Sequence, residues 1–392
     1  MEQVKLAHFG EYSENPEVIF STNGRFHLIG EHSWFCKDKT LSMAVNLPVY
    51  VAVSPRDDSS VKFYFHQLSE SKRANISSLK FRKEDKWANA VKAMIYGYTS
   101  GGFDVKGMNI TIYSDILPSA GFGITTAIKV ATTYAIRELF DLRCSEAQIL
   151  QVIERGNKLF LNTDNYNADN YAAIYAKEGT VILTDHAGPS YELIPFDFSD
   201  KVILLTDAKV PRINVWNEDS VRQPENVLLL GELKDRKNYI YGGWQYEENP
   251  TEVNEVLSVV NEEMRRRLLC IMKEHSYILE AQKSLMKGEF GGFANAVNHS
   301  HIGMRDLYDL SCPEIDWILK RLQEINPNLE DSRNPTSCGR ITGKGFGRVA
   351  YTILNKNDID EFKAKLNEYE RIFGFKAICY EVKPAGGVHI VK

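Results

Sequence analysis

The 392-residue chain contains no apolar run approaching the roughly 20 residues that a bilayer-spanning helix needs, which argues against a helical membrane anchor. Its opening stretch, MEQVKLAHFGEYSENPE, lacks the apolar core of an export signal, so a cytoplasmic location is expected. A net charge of −5 leaves no general basic surface of the kind that non-specific nucleic-acid binding requires. The six cysteines (Cys36, Cys144, Cys270, Cys312, Cys338 and Cys379) include no C-x-x-C pair. That spacing disfavours a zinc ribbon or a disulfide scaffold and fits reduced, mostly buried thiols. There is no repeat, no low-complexity stretch, no Walker A G-K-[ST], no H-E-x-x-H and no Ser-His-Asp order. What remains is ordinary globular composition, 43% hydrophobic and 25% charged, in a chain longer than one core usually organises. Two domains are expected, 1–198 and 199–392, with a boundary near 195–200.

The pattern of elements is α+β in both halves. Residues 18–30 read as two strands hinged on Asn23-Gly24, and 43–54 and 61–68 as further strands. A helix is expected over 84–100, stopping at Gly101-Gly102, and a strand over 108–116. After a loop with Pro118, Gly121 and Gly123 come helices over about 125–140 and 145–160. Residues 171–186 read as a hairpin turning at Gly179. Beyond 200 the chain shows a buried-type strand (201–209) and a stretch, 223–250, whose pattern places no element. Helices follow over 251–274, 275–288, 290–306 and 311–325, the last with Ser311 as N-cap. Strands at 349–355 and 376–382 flank a helix at 356–371.

Four segments could carry chemistry. GRFHLIGEHS (24–33) puts an arginine and a Glu-His pair on a loop after an apolar strand, suited either to a polar sugar pocket or to a solvated turn. LPSAGFGITTA (117–127) is a glycine-rich turn into a helix start, where free amides and the helix dipole favour phosphate. A well-capped helix would look the same. NTDNYNADNY (162–171) offers Asp164 and Asp169 as bases or ligands, although Asn/Asp clusters also simply make turns. GRITGKGFGRVAY (339–351) feeds glycines into an apolar strand and could close over a ligand or form a tight turn.

In order and spacing these segments resemble the galactokinases of the GHMP kinase family. GRFHLIGEHSWF (24–35) is similar to G-R-x-N-L-I-G-E-H-T-D-Y, WANAVKA (87–93) to W-x-N-Y-V-K-G, and PSAGFGITTA (118–127) loosely to P-x-G-x-G-L-S-S-S-A. Asp169 follows Phe160 at the nine-residue spacing of the family's G-I-M-D-Q segment. SHIGMRDLYDLSCPEID (300–316) and RITGKGFGR (340–348) match two later family motifs, and VKPAGGVHIV the tail. The resemblance implies a two-domain GHMP kinase fold, with a ribosomal protein S5 domain 2-like N-terminal half and a ferredoxin-like C-terminal half. It implies ATP and Mg2+ as cofactors and phosphorylation of a sugar, galactose or a relative, at its anomeric hydroxyl. A monomer is expected, with no nucleic-acid or membrane partner.

The same resemblance implies roles. Asp169 would be the catalytic base at the anomeric hydroxyl, or would hold its proton electrostatically, and Arg25 would stabilise the aspartate and the moving phosphoryl group. Glu31 and His32 would bind sugar hydroxyls. Pro118, Gly121, Gly123, Thr125 and Thr126 would wrap the phosphates, with Thr126 on magnesium. Trp87 would lie near the nucleoside, and Gly343 and Gly345 would shape the wall beside both substrates. Departures are equally specific. Trp34 stands where the family has a sugar-binding aspartate, and could stack on a sugar or plug the pocket. Asp219 stands for a sugar-contacting tyrosine. Asn157 stands for the magnesium-binding glutamate, with Glu154 one turn earlier as a substitute. Lys344 and Arg348 replace small residues, and Lys344 could neutralise phosphate. An active sugar kinase and a catalytically impaired, ligand-binding regulator therefore both remain open.

Overall fold

The computed structural model describes residues 2–116, 121–211, 222–238, 254, 255, 257–325, 334–343 and 348–391. The chain forms two compact units. The first comprises 1–26, 44–178 and 384–392, the second 27–43 and 179–383. Strands β1 (Val18–Ile29) and β2 (Lys39–Pro55) each contribute to both.

In the first unit the sheet is built on β2, whose Tyr50–Pro55 stretch pairs antiparallel with β5 (Met108–Tyr113). Strand β3 (Ser60–Phe65) pairs parallel with β5 and antiparallel with β4 (Glu70–Asn75), and the terminal strand β12 (His389–Ile390) closes on β1. Alternating β-branched and aromatic residues put Val51, Val53, Val61, Phe63, Phe65, Ile110 and Ile112 in the interior. Helices α2 (Ala88–Ser100), α3 (Ile124–Leu139), α4 (Glu146–Arg155) and α5 (Asn167–Tyr175) pack together in the same unit. Helix α3 is rich in β-branched residues, weak helix formers. It is carried by its buried stripe of Ile124, Ala127, Ile128, Ala131 and Ala135, at the spacing of one helical face. Helix α4 starts on a capping box between Ser145 and Gln148.

The second unit holds β6 (Thr180–Asp185), paired with β7 (Ser190–Pro195) and with Lys39–Ser42 of β2. Its other sheet is antiparallel, in the order β11 (Ile378–Val382), β8 (Lys201–Asp207), β10 (Val349–Asn355), β9 (Cys338–Ile341). Helices connect β8 to β9 and β10 to β11, which is the ferredoxin-like βαββαβ arrangement that was expected. Those helices include α6 (Pro224–Asn238), α7 (Glu262–Lys287), α8 (Phe290–Asp306) and α9 (Pro313–Ile325). The α+β fold class stands.

Several local expectations fail for identifiable reasons. Asn23-Gly24 is not a turn, because β1 runs straight through it. Gly24 is there because a Cβ would come within 2.8 Å of the Phe122 carbonyl oxygen, and Asn23 donates to the Gly386 carbonyl. Residues 171–175 are helix, not strand, because Ala172 and Ala173 are buried where α5 meets α3. Residues 262–287 form one helix with no break near 275. The polar Glu274-His275 pair there is satisfied by partners elsewhere in the unit. Helix α9 begins at Pro313, and the Ser311 hydroxyl donates a hydrogen bond to Asp316. Residues 156–160 turn from α to π geometry, and 356–373 divide into a 3-10 turn and two short helices, Ile359–Leu366 and Tyr369–Phe373.

Gly97 shows how closely α2 and α4 approach, since a Cβ there would lie 2.2 Å from the Val152 carbonyl oxygen. Gly97→Ala is expected to lower stability by about 1–3 kcal/mol. Gly10→Ala, on the first helix (Glu2–Tyr12) with open space around it, is expected to raise stability by about 0.5–1 kcal/mol. Thermal unfolding of both variants checks the pair.

Candidate active site

In the first unit the glycine-rich turn and β1 touch backbone to backbone. The Arg25 amide donates to the Phe122 carbonyl at 2.8 Å. Gly123, at φ 69°, caps α3, and a Cβ on it would press within 2.8 Å of Arg25 Cγ. Only glycine combines that left-handed backbone with that approach. The turn therefore places Arg25 beside the start of α3. Arg25 is ion-paired with Asp169, and the Thr126 hydroxyl donates to the other Asp169 oxygen at 3.4 Å. Asp169 also lies in the first turn of α5, at the positive end of the helix dipole. Of the residues expected here, Arg25, Thr126 and Asp169 are thus brought together. Gly121, at φ 101°, and the exposed Thr125 flank them on the turn.

Trp87 immediately precedes α2. It is buried, its ring meets Phe65 edge-on at 5.4 Å, and its indole N–H donates to Glu70 at 2.9 Å. Asn157 sits on the π segment, only 3% exposed. Its carbonyl accepts from the Lys129 ammonium at 2.7 Å, and its amide N–H donates to Asn165 at 2.9 Å. Asn165 also accepts from Asn170 of α5 and donates to Asn167. The amide-rich stretch at 162–171 is therefore a side-chain network tying the π segment to the helix that carries Asp169. Glu154 is engaged by Lys158.

Mg2+, which the family resemblance implies, prefers carboxylate and other oxygen ligands. Here the Asn157 oxygen already faces a cation, and the Thr126 hydroxyl is turned to Asp169. Among the described residues no three His, Cys, Asp or Glu side chains gather to hold a metal ion. The pair Thr126 and Asn157 does not fit a divalent cation.

The second unit holds the Glu-His pair. Glu31 Oε1 accepts from Arg340 at 2.7 Å, and Arg340 also donates to Glu274 at 2.8 Å and to Ser300. All three charged side chains are at most 2% exposed. Glu274 in turn accepts from the Gly30 amide and the Ser300 hydroxyl. Burial alone would raise the Glu31 carboxyl, but the Arg340 guanidinium beside it more than compensates and holds it below the ordinary range. Burial likewise works against the Arg340 charge, and the two carboxylates overcome it. Glu31 Oε2 accepts no hydrogen bond from any described residue. His32 is buried with its ring 5.5 Å from Tyr308. Trp34, in a short 3-10 turn, lies 6.0 Å from the His186 ring and under the Arg222 guanidinium, 5.2 Å from the ring centre. Gly343 has φ 90° and follows Thr342, whose hydroxyl donates to the His27 carbonyl. Arg348 is engaged by the fully buried Asp207, which Lys209 also pairs. Pro118, Asp219, Lys344 and Gly345 lie outside the described residues.

The sequence reading missed Lys129, Arg340 and Glu274. Lys129 follows Thr126 at i+3, a spacing that puts both on one helical face. Arg340 lay inside a quoted motif, but its partners are 309 and 66 residues away, so no local pattern exposes them.

A family profile described as "Galactokinase galactose-binding signature" matches residues 7–55, and one described as "GHMP kinases N terminal domain" matches 86–177. The chain is 36% identical over all its length to a "Putative galactokinase" of Treponema pallidum, covering 97% of that protein. It is 26% identical to the Thermotoga maritima galactokinase, over 93% of this chain and 97% of that one. Its fold matches the crystal structure of Lactococcus lactis galactokinase complexed with galactose at a TM-score of 0.83 and 20% identity, over 99% of each chain. It matches the Methanococcus jannaschii mevalonate kinase at 0.58 and 14%, over 94% of this chain and 98% of that one. Fold and site thus define a GHMP-type kinase. Within that class the chain belongs to the galactokinase family.

Arg340→Met leaves two buried carboxylates without a counter-charge and is expected to cost about 3–5 kcal/mol at neutral pH. The wild-type Glu31 contribution, from a lowered folded pKa, is present above the ordinary glutamate range and is lost as pH falls through it. In the variant the stranded carboxylates protonate more easily. The gap between the two proteins should therefore narrow as pH falls toward about 5, which denaturant unfolding across pH measures.

Proposed function

We propose that this protein transfers the γ-phosphoryl group of ATP to the anomeric hydroxyl of galactose or a closely related sugar, giving ADP and a sugar 1-phosphate. The observation that carries the reading is the Asp169 carboxylate held between Arg25 and Thr126 at the start of α3. In this reading Asp169 accepts the hydroxyl proton as the sugar oxygen bonds to phosphorus and the bond to the ADP oxygen breaks. Arg25 pairs with the aspartate in the resting site and offsets negative charge on the phosphoryl group in flight. Glu31 and His32 bind sugar hydroxyls, and the free Glu31 Oε2 supports that role. Gly121, Gly123, Thr125 and the amides at the start of α3 cradle phosphates. Pro118, Gly345, Lys344 and Asp219 keep their family roles as part of the proposal, as do Trp87 near the nucleoside and Gly343 beside the substrates. Trp34, packed with Arg222, narrows the choice of sugar. The division of labour is between residues 1–198, with the phosphate loop and sugar motif, and 199–392. A cytoplasmic monomer is its setting. Among the described residues no helix is long and apolar enough to cross a membrane.

One observation favours the regulatory alternative, namely the Asn157 carbonyl turned to Lys129 rather than left open for a metal. Release of ADP across a panel of hexoses separates the readings, since a regulator yields none. Asp169→Asn should lower kcat by about 10²–10⁴-fold while the Kd for ATP stays within its wild-type range. Undiminished turnover in that variant contradicts the proposal.

A further inference from the structure

Within the kinase reading, on which this rests, we propose that Glu274 is a positioning residue for sugar binding. It holds both the main chain and the side chain of Glu31, so that Glu31 Oε2 is the oxygen left for a sugar hydroxyl. Glu31 lies in the stretch, 7–55, that matches the galactose-binding signature. Three elements of the second unit, α7, α8 and β9, converge on Gly30-Glu31. The Gly30 amide donates to Glu274 Oε1 at 3.1 Å, and the Gly30 carbonyl accepts from the Thr40 hydroxyl at 3.1 Å. Gly30 has φ 99°, and a Cβ on it would lie 2.4 Å from the Lys39 carbonyl oxygen and 2.9 Å from Ile278 Cδ1. Ile278 follows Glu274 by about one turn of α7, so the helix that carries this carboxylate packs directly on the glycine. The peptide that leads into Glu31 is therefore fixed from both sides.

The Glu31 side chain is fixed through Arg340 of β9. Arg340 Nη1 donates to Glu31 Oε1 at 2.7 Å and to the Ile341 carbonyl at 2.8 Å. Its Nη2 donates to Glu274 Oε1 at 2.8 Å, and its Nε to the Ser300 hydroxyl of α8 at 2.6 Å. Ser300 donates in turn to Glu274 Oε2 at 2.6 Å, which closes a ring of three side chains. A planar guanidinium engaged at every nitrogen cannot turn, so it determines which Glu31 oxygen it takes. The two carboxylates come out unequal. Glu274 has both oxygens inside the ring, whereas the buried Glu31 keeps Oε2 without a donor from any described residue. A buried acceptor left in that state is destabilising, and a ligand hydroxyl satisfies it. Glu274 has no such opening, so it acts on the sugar only through Glu31.

Turnover by the full chain of galactose, or of the sugar that gives the most ADP, and of its monodeoxy forms tests the proposal. Wild type should disfavour one monodeoxy sugar by at least about 10²-fold in kcat/KM, and Glu31→Gln should shrink that penalty, which identifies the hydroxyl that Glu31 binds. Glu274→Gln leaves Glu31 itself in the chain, yet should shrink the same penalty by about 10–100-fold, mainly through KM, while penalties at the other hydroxyls change by less than about twofold. A merely structural role for Glu274 lowers turnover of every sugar alike and leaves the ratios as in wild type. That result overturns the inference and leaves the kinase reading standing, as does the absence of any monodeoxy penalty that depends on Glu31. Ser300→Ala takes one donor from Glu274 and one acceptor from Arg340, and should move the same ratio in the same direction. If thermal unfolding shows that Glu274→Gln is not folded, the Ser300→Ala ratio decides. Absence of ADP from wild type with every sugar overturns the kinase reading and the inference with it.

Discussion

In the proposed reaction, the charge on Asp169 is the constraint that Arg25, Thr126 and the start of α5 answer to. A carboxylate that is to accept a proton at the moment of phosphoryl transfer must be ionised and fixed beforehand. Three features do this. Arg25 pairs with one oxygen, Thr126 donates to the other, and the start of α5 supplies a favourable dipole. Arg25 is set in place by the close backbone approach of Gly24-Arg25 to Phe122-Gly123, which two side-chain-free residues permit. The glycine-rich turn is thus a spacer that sets the arginine as well as a phosphate-binding candidate.

Charge compensation recurs at three described positions where this chain departs from its family, Asn157, Arg348 and Trp34. The carboxylate lost at position 157 is matched by an ammonium at 129 that uses the remaining carbonyl. Arg348, where small residues are usual in the family motif, is engaged by Asp207. Trp34, in place of an aspartate, sits under Arg222. In the second unit, Arg340 neutralises Glu31 and Glu274 so fully that the pair can be buried. Each departure is read most simply together with the partner that accommodates it.

Much of this was legible in the sequence, and what was not has a common cause. The strands at 43–54, 108–116 and 349–355 and the helix from 125 show their periods locally, and the motif order carried the family. The long-range ion pairs left no such trace. Glu31 and Arg340 belong to quoted motifs, yet nothing in either motif says that they bind one another. Asn23-Gly24 misled because its turn chemistry is real, but tertiary contacts with Phe122 and Gly386 decide its conformation. Glu274-His275 misled because polar residues inside a helical pattern resemble a boundary until their buried partners are known.

The central claim is that a charge-fixed Asp169 directs phosphoryl transfer to an anomeric hydroxyl. Phosphorus NMR of the product formed from ATP and galactose, or from the sugar that gives the most ADP, tests it most directly. The account predicts a single phosphomonoester signal coupled to the anomeric proton, formed by wild type and lost in Asp169→Asn. A phosphate on any other carbon, or the same product from Asp169→Asn at the wild-type rate, would contradict it.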